Sequence, residues 1–247
     1  MNAFRVGSDL GDAIAACAIV RHLGGGHVRL YGTPNTKGFD DARYNALKAL
    51  LEIQPWAASV ARYDESEDLK ITHDFSGFRE RFGDGDSLIE KQARWIGLPH
   101  NSVDTSPWLT IPDAPKHNKI VLCRSQRCLG SLHWFRLFAR AKECIFIGLE
   151  EDYNQFCREN SPWLPTKKNV PKIEFRKTEN LLEAARLIKG SRIFVSNQTS
   201  LLWVAFSIGF TPMLIEKVND DSYLPMQGRR YVSKPHENPS VHEFMKL

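Results

Sequence analysis

Arg192-Ile-Phe-Val-Ser-Asn-Gln-Thr-Ser200 runs straight into Leu201-Leu-Trp-Val-Ala-Phe-Ser-Ile-Gly209-Phe-Thr-Pro212, and the way this stretch divides decides the fold. Ile193-Phe-Val195 is a short apolar, β-branched run of the kind that makes a buried strand. Ser196 to Ser200 is a polar turn rich in hydroxyl and amide groups able to cap a helix. The apolar segment to Ile208, stopped by Gly209 and Pro212, reads as a buried helix, and Met213-Leu-Ile215 as the next strand. A strand, a polar turn and a helix start make a site for an anion, because unpaired N–H groups and the helix dipole both point at the turn. The same pattern also serves as a plain cap that binds nothing, and spacing alone leaves both readings open.

The start of the chain repeats this logic. Phe4-Arg-Val6 is a strand, Gly7-Ser-Asp-Leu-Gly11-Asp12 a turn, Ala13–Leu23 an alanine-rich helix ended by Gly24-Gly-Gly26, and His27–Tyr31 a second strand. The glycine spacing is not G-x-G-x-x-G and no acid follows the second strand, which argues against a dinucleotide fold of the NAD type.

Further helices are expected over Phe39–Leu51 and Ser87–Ile96, with strands at Ser59–Tyr63 and Lys70–Phe75. Asn101–Lys119 reads as a linker, carrying Pro107, Pro112 and Pro115. Beyond it come a strand at Lys119–Cys123, a helix at His133–Ala141 and a strand at Cys144–Ile147. A helix then runs through Tyr153–Arg158, and Thr178-Glu-Asn180 caps another that reaches Ile188. Trp163–Lys172 reads as loop. The last thirty residues read as irregular, with a short closing helix from Ser240.

Strand–helix alternation in both halves predicts an α/β protein with two parallel sheets: two Rossmann-like lobes around a cleft. The expected division is 1–115, 116–225 and a tail, 226–247, that packs back on the first lobe.

The totals narrow the class. At 247 residues, 42% hydrophobic and 25% charged, the chain has the composition of an ordinary globular protein with enough length for a sizeable core. Lys plus Arg is 33 against 29 acids, so a net charge of +4 permits a polyanionic partner without demanding one. Five cysteines without C-x-x-C spacing read as reduced thiols and suggest no metal site. The start shows no signal-peptide pattern, and no apolar run approaches the ~20 residues of a spanning helix. A cytoplasmic location is expected, that of the host cell if the gene is phage-borne.

Asn197, Thr199 and Ala205 carry a resemblance to the donor motif of heptosyltransferase-like family 9 glycosyltransferases, a GT-B-fold family, although Gln198, Ser200 and Trp203 stand where that family has Asp, Gly and His. The Asn-Gln-Thr-Ser run is closer to a branch of short, often phage-borne relatives. Leu10-Gly11-Asp12 resembles the family's opening motif. Ser106-Pro-Trp-Leu109 is similar to the segment that precedes the second domain in the short relatives.

The resemblance implies an inverting, metal-independent transferase that uses a nucleotide-diphosphate-sugar as co-substrate and no cofactor. Asp12 would be the general base, although Asp9 or Asp12 could equally be a cap of the first helix. Arg124 and Arg127, three apart at a strand end, would fork onto the diphosphate together with the Asn197, Gln198, Thr199 and Ser200 turn. Glu151, with Glu150 as its rival, would contact the ribose, and Glu216 would face the donor. Asp9, Gly11, His73 and Asp74 would line the acceptor side.

Two acceptors stay open. A hydroxymethylated base in phage-type DNA is weakly favoured by basic clusters interleaved with aromatics, Arg124–Arg140 and Arg229-Arg-Tyr231. The alternative is a lipopolysaccharide or other surface glycan. A third reading is a catalytically silent nucleotide-binding protein, since Gln198 and Trp203 depart from the donor motif.

Overall fold

The structure is a computed structural model that describes residues 1–7, 9–32, 40–80, 87–126, 143–160, 172–216 and 230–233. They form two wholly parallel sheets, as expected. The first has the order β3-β2-β1-β4, from β1 (Asn2–Gly7), β2 (Gly26–Tyr31), β3 (Ala57–Arg62) and β4 (His73–Asp74). The second has the order β10-β9-β8-β5-β6-β7, from β5 (Ile120–Cys123), β6 (Glu143–Phe146), β7 (Lys172–Phe175), β8 (Ile193–Asn197), β9 (Met213–Glu216) and β10 (Arg230–Ser233). Six helices accompany them among the described residues: α1 (Leu10–His22), α2 (Asp41–Leu51), α3 (Leu88–Trp95), α4 (Glu150–Asn160), α5 (Leu181–Gly190) and α6 (Ser200–Ser207).

The core is continuous from one sheet to the other through α1. Every side chain from Asp12 to Val20 is buried, so this helix has no solvent face. Four alanines, at 13, 15, 16 and 18, keep it slim enough to lie between Phe4, Val6, Val28 and Leu30 of the first sheet and the equally buried α6. A helix apolar all round belongs inside a protein, and α1 and α6 satisfy each other.

The linker is a packed strap. Trp108, Leu109 and Ile111 are buried. Trp108 Nε1–H donates to the Ile14 carbonyl of α1 at 2.9 Å, while the N–H groups of Trp108 and Leu109 both donate to the Ser207 carbonyl of α6 at 2.9 and 3.0 Å. An X-Pro-rich stretch with no ladder of its own is thus held by the two helices it crosses.

Other departures from expectation have local causes. α1 starts at Leu10 because Asp9 takes the N-cap position, and the Asp12 carboxylate accepts from the Asp9 N–H at 3.2 Å. The β4 strand is two residues long, and the Asp74 carboxylate accepts the Ser76 N–H at 2.9 Å and turns the chain after it. α4 begins at Glu150, its first turn taking up the acids that suit a helix start. β7 and β10 lie at the two edges of the second sheet. Lys172-Ile-Glu-Phe175 offers only two apolar residues, Ile173 and Phe175, which pack partly buried against the core of the second sheet. Four residues of the expected tail, Arg230–Ser233, extend the second sheet rather than return to the first. The expected helices at 133–141 and from Ser240 lie outside the described residues.

Candidate functional site

α1 and α6 run side by side in the same direction. At their starts Gly11 meets the Trp203 indole; further along, Ile14 and Ser207 share Trp108. Each helix follows the C-terminal end of a central parallel strand, β1 or β8. Two helix N-termini from opposite lobes therefore open on the same place, the crevice at which α/β sheets bind ligands. Among the described residues, the N–H groups of Leu10 and Gly11 in α1, and of Ser200 and Leu201 in α6, have no acceptor.

Asp12 sits at this junction, 2% exposed. Arg79, from the short 3-10 turn Phe78–Glu80, grips it with both arms: Nε–H to Oδ2 at 3.0 Å, and Nη2–H to Oδ1 and Oδ2 at 2.7 Å. Oδ2 therefore carries three contacts, the Asp9 N–H included. Oδ1 carries one and keeps a lone pair. Burial pushes the Asp12 pKa upward, with the Arg79 charge and hydrogen bonds pulling against it. Cap and candidate base are thus one carboxylate. Arg79 was not legible as its partner, being sixty-seven residues away with no spacing to mark it.

The polar turn after β8 divides its labour. Thr199 is the N-cap of α6, its hydroxyl accepting from the Leu202 N–H at 3.3 Å. Asn197 is fully buried and brackets the Ser125 backbone, accepting its N–H at 2.9 Å and donating to its carbonyl at 2.7 Å. It fastens the loop after β5 and lies under the turn. Gln198 and Ser200 are half-exposed at the helix start.

Arg124 does not form the expected outward fork. It is 8% exposed, with Nε–H donating to Glu216 Oε2 at 3.1 Å and Nη1–H bonded to Glu159. Glu216, 1% exposed, is the buried carboxylate that accepts from Arg124. Two expected ligand groups have thus found each other, and Glu159, unremarked in the sequence, completes the triad. Arg127, the other half of the fork, lies outside the described residues.

Glu151 is exposed in the first turn of α4, after Gly148 at φ 129°. Its neighbour Asp152 is the structural acid, accepting the Gln126 N–H at 3.0 Å. Glu150 is exposed as well, so the two rivals remain paired candidates.

On the first sheet the expected acceptor-side residues separate. Asp9 and Gly11 lie in the α1 turn beside Asp12. His73 and Asp74 are committed within the sheet. His73 stacks on Phe4, centroids 5.1 Å apart, and burial lowers its pKa. Asp74 holds Arg5, with Nε–H to Oδ1 at 2.9 Å, and the Arg5 guanidinium lies over both Tyr31 and Tyr63.

No protein-family model matches the chain, and no curated protein matches it in sequence. Its structure is similar to that of a family 9 glycosyl transferase from Veillonella parvula, with TM-score 0.61 and 10% identity over 99% of this chain and 90% of that one. It is also similar to the Escherichia coli heptosyltransferase WaaC with ADP-2-deoxy-2-fluoro heptose, at 0.63 and 11% over 100% and 99%. The WaaC structure with ADP gives 0.59 and 11% over 100% and 97%. The fold is therefore heptosyltransferase-like GT-B, two Rossmann-like lobes, as the sequence motifs implied. No helix among the described residues is long and apolar enough to cross a membrane.

Proposed function

We propose that this protein is a glycosyltransferase that moves a sugar from a nucleotide-sugar to a hydroxyl group of a glycan, in one inverting displacement that uses no metal. One observation carries the reading. A buried carboxylate, Asp12, and an anion-ready helix start, that of α6, are brought together from opposite lobes by the contact of Trp203 with Gly11.

In the proposed step the acceptor hydroxyl attacks the anomeric carbon as its proton passes to Asp12 Oδ1, the oxygen with a lone pair to spare. The bond from that carbon to the diphosphate oxygen breaks, and the electron pair leaves with the nucleoside diphosphate. Its charge falls on the Ser200 and Leu201 amides and the α6 dipole. Burial and Arg79 act oppositely on Asp12, which suits a base: desolvation raises its proton affinity and the arginine works against that rise. In this proposal the exposed Glu151 contacts the ribose of the donor, and the setting is cytoplasmic.

Support for the glycan acceptor comes from the neighbours, which are heptosyltransferases. The DNA expectation has lost its footing. Arg124, which opened the basic cluster, is turned inward on two carboxylates, and the rest of that cluster lies outside the described residues. A silent nucleotide-binding protein is the second reading, favoured by the bidentate hold of Arg79 on the only carboxylate at the α1 turn that is buried.

The test is mass spectrometry of glycan cores and of hydroxymethylated DNA after incubation with nucleotide-sugars, beginning with the ADP-heptose class that WaaC's analogue represents. A sugar mass added to glycan by the wild type and not by Asp12→Asn supports the proposal. Sugar on DNA alone would overturn the acceptor. Donor binding with neither transfer nor slow donor hydrolysis would establish the silent reading.

A further inference from the structure

Trp203 is the second residue of interest in the α6 first turn, and its surroundings are unusual for a tryptophan. Its side chain is 6% exposed, yet among the described residues its Nε1–H finds no acceptor, and that atom is not sealed from solvent. Buried tryptophans normally pair this group. The other three whose bonds the structure records do so, Trp56 on the Trp108 carbonyl, Trp95 on the Asp74 carbonyl and Trp108 on the Ile14 carbonyl, at 2.9, 2.7 and 2.9 Å.

The ring is held in place by what it crosses. A Cβ at Gly11 would lie 3.1 Å from Trp203 Cδ1 and 3.6 Å from Nε1, so the pyrrole edge rests close on the α1 backbone, and a side chain there would have to push the ring aside by a few tenths of an ångström. Phe206, one turn on, packs against the same indole at a 6.0 Å centroid distance. The N–H therefore belongs to a ring held against Gly11 in the first turn of α1, with Leu10 beside it and Ser200 and Leu201 in the first turn of its own helix.

We infer that the Trp203 Nε1–H is a hydrogen-bond donor to the terminal phosphate of the nucleoside diphosphate, at the junction of the two helix starts. The inference rests on the proposed function and adds to it a residue, an atom and a position. An indole N–H has no acceptor capacity and no charge, so it favours an anionic oxygen in its place over water and rejects a donor group. Because the ring already touches both helices, no ordering is needed on binding, and a donor fixed in advance is the form in which such a bond is most effective. It also gives the tryptophan a chemical reason to occupy the family's histidine position, since both side chains can present a ring N–H.

The experiment replaces the single atom. 3-Benzothienylalanine, incorporated at position 203 alone, keeps the ring shape and removes the N–H; Trp203→Phe is the cruder companion. ADP, AMP and inorganic pyrophosphate are titrated by calorimetry. The benzothienyl protein should bind ADP and pyrophosphate about tenfold to a hundredfold more weakly, the loss expected for a hydrogen bond to a charged group, with AMP nearly unchanged. In wild-type protein labelled with 15N-tryptophan, the indole resonance missing from Trp203→Phe should move downfield on adding pyrophosphate, a reading that survives even if a variant folds poorly. Unchanged ADP affinity in the benzothienyl protein, an equal loss for AMP, or an indole resonance indifferent to pyrophosphate would each overturn the inference while leaving the proposed function standing. If wild-type protein binds none of ADP, UDP, GDP and pyrophosphate, the proposed function itself falls, and the inference with it.

Discussion

Replacing Arg124 by methionine separates two accounts of the second lobe. On the sequence motif, Arg124 is a diphosphate ligand, and its loss should weaken donor binding in a stable protein. In the structure it is the counter-ion of Glu216, which is 1% exposed, and it bonds Glu159 on its other side. Removing the arginine takes a charged partner from a buried carboxylate, which costs about 3–5 kcal/mol. Glu159 adds little to that figure, because its side chain is 30% exposed and water can replace the arginine there. For a chain of this length about 2–4 °C of melting temperature corresponds to 1 kcal/mol, so the expected drop is about 6–20 °C.

The cycle needs two more proteins, Glu216→Leu and the double variant. Exchanging both members of a buried pair for apolar groups of similar size is often close to neutral. The double variant should therefore recover most of the loss, with a coupling of about 2 kcal/mol or more between the sites. Urea unfolding of the four proteins measures it. Two single variants that each cost under about 1 kcal/mol, adding without coupling, would refute the buried-pair account. So would an Arg124→Met protein with wild-type stability and ADP affinity reduced a hundredfold, which would restore the ligand reading.

Asp12→Asn should lower transfer by about 10²–10⁴-fold, the usual contribution of a general base, and should leave ADP affinity within about twofold. Stability is expected to move the other way. Burial raises the Asp12 pKa, so the native state holds the proton more tightly than the unfolded chain, and stability is lost as pH rises from the ordinary carboxylate range through that raised value. The asparagine variant should then melt higher than wild type at neutral pH, the gap closing below about pH 4; scanning calorimetry across pH 3–8 would show a wrong sign at once. Asn197→Ala removes two hydrogen bonds to the half-buried Ser125 backbone and should cost about 1–2 kcal/mol by urea unfolding; a neutral result would mean the loop after β5 does not need fastening. Burial pushes the Cys123 and Cys144 thiols up to about 12. At pH 8 about one molecule in ten thousand would carry either thiolate, so peptide mapping after iodoacetamide should find both unmodified in native protein and alkylated after denaturation.

What could be read from the sequence, and what could not, divides along a physical line. Strand, turn and helix in 192–212 were legible because Ile193–Val195 and Leu201–Phe206 declare themselves by apolar content, and the caps between them by chemistry that acts over three or four residues. Asp9 and Asp12 at the head of α1 are local in the same sense. The edge strands β7 and β10 escaped because two apolar residues in a run of four are too few to declare a period.

The polar residues failed differently. A spacing of three between Arg124 and Arg127 suggests an outward fork, yet the direction of Arg124 is set by Glu216, ninety-two positions away, at the end of a strand two places across the sheet. His73 and Asp74 likewise answer to Phe4 and Arg5 across the β1–β4 pair. A charge buried by the fold must find an opposite charge, and parallel topology gathers strand ends from distant parts of the chain, so the partner is chosen by strand order and not by sequence distance. Asp12 is the instructive exception. Its position was legible because a helix N-terminus fixes it locally, but Arg79, which opposes the effect of burial on its pKa and leaves one oxygen open, became visible only when the turn at 78–80 was folded over the start of α1.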